Sequence, residues 1–392
     1  MNFATLSLGL LAKLTTRTNK SPTPAAILRG TLVLMLAYSS VGWANQAYNI
    51  ETVAKNMNYP WSIAFLPNGD RLVAELGGTL RRITADDIVS EPISGVPEVY
   101  RASQGGLFDV MLARDFDDSR RIYLSYAEGT PQTNGTAVAT ALLDGNTLTD
   151  VEVIFSASPK KQGPVHYGGR MVWLPDDTLL LATGDGFDYR EAAQDLSTNF
   201  GKTLRMNADG TPAAGNPFPS YPYVYTYGHR NPQGLLVTQD GAVYLHEHGP
   251  QGGDEVNLIE AGSNYGWPAA THGLDYNGAY VSPFKELPGM TAPKMVWVPS
   301  IAPSGFMIYE GELFPQWRGD LFLGALVDME VRRIEMNNGE PGADTPVFPD
   351  ISARIRDIRQ APDGSIYVLT DGTAEQPGGG AILRVVPATS GS

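Results

Sequence analysis

The chain contains no cysteine. Disulfide staples, thiol nucleophiles and thiolate metal centres are therefore excluded together. The fold must stand on its core and on any hard cations it binds. Positive charge is also scarce: 28 Lys and Arg stand against 42 Asp and Glu, a formal charge of −14. Such a surface repels phosphate backbones and anionic lipid, which argues against nucleic acid and anionic membrane as partners. There are only five histidines, His166, His229, His246, His248 and His272, so general-base chemistry near neutral pH has few candidates. Long helical periodicities are missing as well. In their place stand 43 glycines and 29 prolines, which suit tight turns between short strands.

The first 44 residues differ from the rest. They hold Lys13, Arg17, Lys20 and Arg29 and no acidic residue, followed by an apolar run from Thr31 to Tyr38 and by Gly42-Trp43-Ala44. A basic stretch, a short apolar stretch and small residues two apart form the pattern of an export signal. The apolar run is too short for a comfortable membrane span. The expectation is a signal peptide over 1–44, a working domain over 45–392, and a periplasmic or secreted protein with no membrane insertion after processing. Cleavage after Ala44 removes four positive charges and takes the formal charge from −14 to −18.

One pattern then recurs six times: a small or apolar start, an alternating strand, a turn rich in Asp, Asn or Gly, and a second alternating strand. The copies run Trp61 to Glu75, Gly106 to Tyr126, Gly168 to Asp185, Pro232 to Gly249, Ser304 to Leu326 and Arg356 to Gly372. Their turns fall at Asn68-Gly69, Asp117-Asp118, Asp176-Asp177, Asp240-Gly241, Arg318-Gly319 and Asp363-Gly364. Each copy reads as a β-hairpin with period-two patterning. Phe65, Val73, Met171, Leu180, Leu236, Tyr244, Met307, Phe322, Ile366 and Val368 are of the type that packs between sheets. Turn-to-turn spacings of roughly 45 to 80 residues leave room for four strands per unit. The expected fold is all-β, a six-bladed β-propeller of four-stranded antiparallel blades.

In a propeller, equivalent positions of all blades lie at one height along the central channel, so residues leading into the hairpins converge. Gln104 leads the second copy, His166 the third, Arg230 and Asn231 the fourth, Pro303 and Ser304 the fifth, and Arg354 and Arg356 open the sixth. His166 suits a general base, and Asp185, at the end of the same hairpin, could orient its ring or simply close a turn. Three arginines in an acidic protein suggest an anionic ligand. No phosphate-cradling strand-to-helix turn accompanies them, so a polycarboxylate fits better than a nucleotide. Gly249 to Glu255 is a glycine-rich turn with two carboxylates, a candidate for Ca²⁺. His246 and His248 share a strand face and suit structural bonding better than zinc, since no third ligand is evident.

These residues carry a resemblance. Gly228-His229-Arg230-Asn231-Pro232-Gln233-Gly234-Leu235, His248 to Asn257 and Gly262 to Pro268 resemble the soluble sugar dehydrogenases that use pyrroloquinoline quinone (PQQ), most of all the periplasmic aldose sugar dehydrogenases. Gln104-Gly105-Gly106-Leu107, His166-Tyr167-Gly168-Gly169-Arg170 and Arg354-Ile355-Arg356-Asp357 also match, and the resemblance runs from about residue 48 to 387. It implies a six-bladed propeller, PQQ and Ca²⁺ as cofactors, an aldose substrate and an external electron acceptor. It implies that His166 takes the proton of the sugar C1 hydroxyl, that Asp185 supports it, and that Arg230 steadies charge developing on the quinone. It implies that Gln104, Arg230, Asn231, Tyr276, Ala325, Arg354 and Arg356 line PQQ, that carbonyls of Gly249 and Pro250 hold Ca²⁺ against it, and that Glu255 and Tyr265 bind Ca²⁺.

Two departures stand out. Val327 occupies a position where family members often carry a lysine against PQQ, and Val165 precedes the base where Asp or Asn is common. Two further readings follow from the residues: a Ca²⁺-dependent propeller lactonase or hydrolase, and a non-catalytic sugar-binding propeller. Monomer and homodimer are equally compatible with the sequence.

Overall fold

The recurring hairpins form the first two strands of six four-stranded antiparallel sheets. The structure is a computed structural model that describes residues 48–372 and 379–388; the expected export signal lies outside them. Blade one comprises Pro60–Phe65, Arg71–Glu75, Thr79–Ile83 and Val89–Pro92. Blade two comprises Leu107–Leu112, Arg121–Gly129, Asn134–Asp144 and Thr147–Ser156. Blade three is built from Gly168–Trp173, Leu179–Thr183, Lys202–Met206 and Val224–Tyr227, and blade four from Pro232–Val237, Val243–Glu247, Asp254–Leu258 and Met295–Trp297. Blade five comprises Pro303–Ile308, Leu321–Ala325, Val331–Asn337 and Glu340–Val347.

Blade six is assembled from both ends of the chain. Ile355–Gln360, Ile366–Thr370 and Gly380–Pro387 are completed by Tyr48–Met57, which pairs antiparallel with Gly380–Pro387. This pairing joins the ends of the domain, and contacts between successive inner strands, including blade six with blade one, close the ring. The architecture is the six-bladed propeller expected.

Each interface between neighbouring blades is a separate apolar core. Leu72 and Leu80 meet Leu107 and Leu124 between blades one and two. Met171 and Leu181 pack on Tyr123 and Val138 between blades two and three. Leu180 with Leu245, Tyr244 with Leu321, Phe322 with Val368, and Val73 with Leu369 repeat the arrangement around the ring. Two turns differ from a plain hairpin. Asp117 and Asp118 sit in a one-turn helix, Phe116–Ser119, and Arg318-Gly319 follow a 3₁₀ turn at Pro315–Trp317.

Blades three and six face each other across the ring, so contacts between them fill the channel. Arg170 of blade three reaches Asp357 of blade six at 3.2 Å, and Arg359 reaches Asp357 at 3.0 Å and Asp109 of blade two at 3.3 Å. The Arg170 guanidinium lies 3.9 Å from the Trp61 ring centroid. This plug of two arginines and two aspartates, buried but for the partly exposed Arg359, is the floor on which the site rests.

Candidate active site

His166 stands where the chain enters the inner strand of blade three. Its φ is 55°, a left-handed conformation costly for a residue with a Cβ. Gly168 and Gly169 follow, also at positive φ, and neither tolerates a side chain. A Cβ on Gly168 would lie 2.6 Å from the Ala182 carbonyl, and one on Gly169 2.7 Å from the Phe108 ring. The tight turn delivers the imidazole to the channel mouth rather than into the sheet.

The ring is held on several sides. His166 Nδ1 lies 2.7 Å from Asp185 Oδ1, while the His166 N–H donates to Gln104 Oε1 at 2.8 Å. Asp185 is fully buried. Its Oδ1 also accepts from the Phe187 N–H at 2.8 Å, and its Oδ2 from the Trp267 indole at 2.7 Å. With Asp185 as the hydrogen-bond acceptor, the proton of the neutral imidazole sits on Nδ1, which leaves Nε2 as the proton acceptor. Burial lowers the His166 pKa. Asp185 opposes that shift, and the cations Arg230 and Lys161 add to it.

Two cavities flank this dyad. One, about 340 Å³, is lined by His166, Asp185, Phe187, Arg230, Pro250 and Tyr276, with Asp188, Arg190 and Asp275 at its rim. The other, about 380 Å³, is lined by Gln104, Asn231, Gln233, His248, Val327, Arg354 and Arg356, with Arg101 and Asp371 also on its wall. Three arginines against one aspartate make this wall cationic in an acidic protein. Arg356 pairs with Asp371 at 2.9 Å, and Arg354 Nη1 donates to the Leu326 carbonyl at 3.0 Å.

Arg230 lies between the cavities. Its Nη1 donates to the carbonyls of Gly249 at 2.5 Å and His248 at 3.1 Å, and its Nη2 to the Tyr276 hydroxyl at 3.1 Å. Its Nε is buried without a partner. An orphaned N–H on a buried guanidinium is a donor in want of an acceptor. The cationic wall, that donor and the flat aromatic neighbours fit a planar polycarboxylate.

Of the residues expected at the site, His166, Asp185, Gln104, Arg230, Asn231, Tyr276, Arg354, Arg356 and Pro250 line one cavity or the other. Gly249 reaches the site through its carbonyl. Ala325 is different: its side chain is buried between blades four and five, and the following Leu326 and Val327 form the wall. Glu255 and Tyr265 lie deeper, beside a second polar cluster. Glu255 faces Glu247 across the sheet, and Asn257 Nδ2 reaches both carboxylates at 3.4 and 3.5 Å, while Asn257 Oδ1 is buried without a partner. Burial and the facing Glu247 push the Glu255 carboxyl well above the ordinary range. Two facing carboxylates and an unused amide oxygen suit a hard cation. The Tyr265 hydroxyl already bonds the Leu258 carbonyl and the Glu260 N–H, so only its main chain is left to contribute. Among the described residues no group of three or more His, Asp or Glu side chains is placed to hold a metal ion, so a cation here depends on carbonyl and amide oxygens. His246 and His248 each bond a carbonyl of the blade-five inner strand, Gly305 at 2.9 Å and Pro303 at 2.8 Å. Burial lowers them to about 3 and about 4; both are neutral structural groups, and His248 adds its flank to the cavity.

Sequence reasoning missed Arg101, Gln233, Asp371 and the role of Trp267. Arg101 sits in a loop with no repeat register, and its guanidinium donates to the carbonyls of Ser103 and Gly105 at 2.6 and 3.1 Å. It shares a cavity with Val327 and supplies a cation to the wall that Val327 leaves uncharged.

Known proteins resemble this chain over most of its length. The chain is 40% identical to aldose sugar dehydrogenase YliI of Escherichia coli (strain K12) over 368 residues, 91% of this chain and 98% of that protein. The crystal structure of the soluble aldose sugar dehydrogenase of Escherichia coli in its apo form superposes with a TM-score of 0.83, covering 87% of this chain and 99% of that one. The PQQ-bound aldose sugar dehydrogenase of Streptomyces coelicolor, 29% identical, superposes at 0.70 over 87% and 98%. The glucose / sorbosone dehydrogenase family pattern matches residues 57–384, and the chain belongs to that family.

Proposed function

We propose that this chain is a quinoprotein aldose sugar dehydrogenase that oxidises the C1 hydroxyl of an aldose to the lactone and passes the electrons to an external acceptor. The observation that carries the reading is the His166–Asp185 dyad beside a cationic cavity walled by Arg101, Arg354 and Arg356. PQQ, when bound there, supplies the quinone that accepts hydride. The chain's own part is to place an aldose in the smaller cavity with its C1 hydroxyl toward His166 Nε2. As the C1–H bond gives up its electron pair, His166 takes the hydroxyl proton, and the carbonyl forms. Asp185 stabilises the imidazolium that results. Arg230, with its free Nε–H, steadies negative charge developing on the ligand. Ca²⁺ would be held by carbonyls of Gly249 and Pro250, with Glu255 and the main chain of Tyr265 serving the deeper cluster. The basic, then apolar, residues 1–44 support work in the periplasm or outside the cell.

Purified chain given PQQ and Ca²⁺ is expected to reduce a dye with glucose or another aldose. Silence across a broad aldose panel, with lactone hydrolysis in the absence of PQQ, would establish the hydrolase reading instead. Stoichiometric uptake of PQQ, followed by absorbance, removes the non-catalytic reading. In the same titration Arg101→Ala is expected to weaken PQQ about 3- to 10-fold, the modest effect of an exposed cation. An unchanged affinity would remove Arg101 from the cofactor wall.

A further inference from the structure

Lys161 is only 2% exposed, yet it touches neither cavity. Its main chain pairs with Asn134 in both directions, at 2.8 and 2.9 Å. Asn134 in turn accepts from the Tyr167 hydroxyl at 2.7 Å. The Lys161 ammonium lies 3.9 Å from the Tyr167 ring centroid and donates to the Gly163 carbonyl at 2.6 Å. Its stem passes beneath the turn after Asp185: a Cβ on Gly186 would lie 2.8 Å from Lys161 Cδ. One side chain thus touches the neighbour of His166 and the neighbour of Asp185.

A methionine would fill this space without the expense of burying a charge. The ammonium faces a carbonyl and an aromatic ring, with Asp185 and Asp188 acting on it through space. We propose that Lys161 is a positioning residue for the catalytic dyad, locking the His166 and Asp185 segments together and keeping His166 a proton acceptor through its buried positive charge. The proposal rests on the reading of His166 as the base.

The charges facing His166 are few. Asp185 favours the imidazolium, and Arg230 and Lys161 disfavour it; Phe187, packed against the ring, and Gln104, bonded to the main chain, are uncharged. Asp188 weakens the Lys161 field but lies at the cavity rim. Removing Lys161 leaves one cation against one carboxylate, so His166 binds its proton more tightly. Burial lowers the lysine to about 8, so it carries its charge across the range where His166 titrates.

The test uses the processed full-length chain labelled with ¹⁵N-histidine, with the His166 ring assigned through His166→Gln. Lys161→Met and Lys161→Gln are expected to raise the His166 midpoint by about half a pH unit or more. They should move the acid limb of kcat/KM in the PQQ- and Ca²⁺-loaded enzyme by the same amount, and Lys161→Arg should restore both. An unshifted midpoint in the two neutral variants overturns the proposal. So does failure of both to fold while Lys161→Arg folds and works, since Lys161 is then scaffold alone. The midpoint is read without cofactor or sugar. Absence of aldose oxidation in every protein would therefore sink the dehydrogenase reading and leave the Lys161 measurement standing.

Discussion

Replacing His166 with glutamine is expected to lower kcat for aldose oxidation about 100- to 10,000-fold while PQQ uptake stays near that of the parent. Glutamine keeps a polar group of similar reach but cannot take a proton. The dyad lies in one cavity and the arginine wall in the other, joined through Gln104, whose side chain meets the His166 main chain rather than its ring. The substitution therefore removes the base without disturbing the wall. A fall in PQQ affinity matching the fall in kcat would show that His166 builds the cofactor site instead. The pH profile adds an independent check. The base works unprotonated, and burial places its pKa below that of an ordinary histidine. The kcat/KM of the parent enzyme should therefore hold flat into mildly acidic solution and fall only below the usual histidine range. An acid limb at or above that range would mean that Asp185 outweighs burial and the two cations.

The division of labour around His166 also explains what could be read from the chain and what could not. The six hairpins were legible because their turns are local: Asp176-Asp177, Asp240-Gly241 and Asp363-Gly364 each sit between strands of alternating pattern. The leading positions followed from the repeat, so His166, Arg230 and Arg356 were found without any contact being known. Outer strands were not legible. Glu340–Val347 alternates poorly and is largely exposed, and Tyr48–Met57 finds its partner more than 300 residues away. Trp267 belongs to a loop between the third and fourth strands of its blade, and nothing local says that its indole N–H ends on Asp185, 82 positions earlier. Ala325, which the resemblance implies lines the cofactor, ends its strand with its side chain in the blade interface, and Leu326 and Val327 beyond the strand end form the wall.

Arg170→Met is expected to be the most destabilising single change in the channel, at about 3–5 kcal/mol, because it leaves a buried carboxylate uncompensated. Arg170 is 1% exposed, and it faces Asp109 at 3.8 Å and Asp357 at 3.2 Å. It also donates through Nε to the Gln233 carbonyl at 2.8 Å. Without it, two aspartates share Arg359 alone. Burial already raises the Asp109 carboxyl above its ordinary value, and Arg359 and Arg170 pull it back down. Loss of Arg170 raises it further, so the folded variant binds more protons than the unfolded chain. Its stability deficit must then grow as pH rises from the ordinary carboxylate range through the raised value, and shrink in acid. Chemical denaturation at several pH values measures this directly, with Arg318→Met as the surface control. Its pair with Glu312 is more than half exposed on both sides, and its loss should cost no more than about 0.5 kcal/mol. Adding Asp109→Asn to Arg170→Met should recover much of the loss and flatten its pH dependence, because the surplus charge is gone. If the double variant were no more stable than the single one, the role of Arg170 would lie in packing on Trp61 and bonding Gln233, and the plug would hold the site by shape rather than by charge.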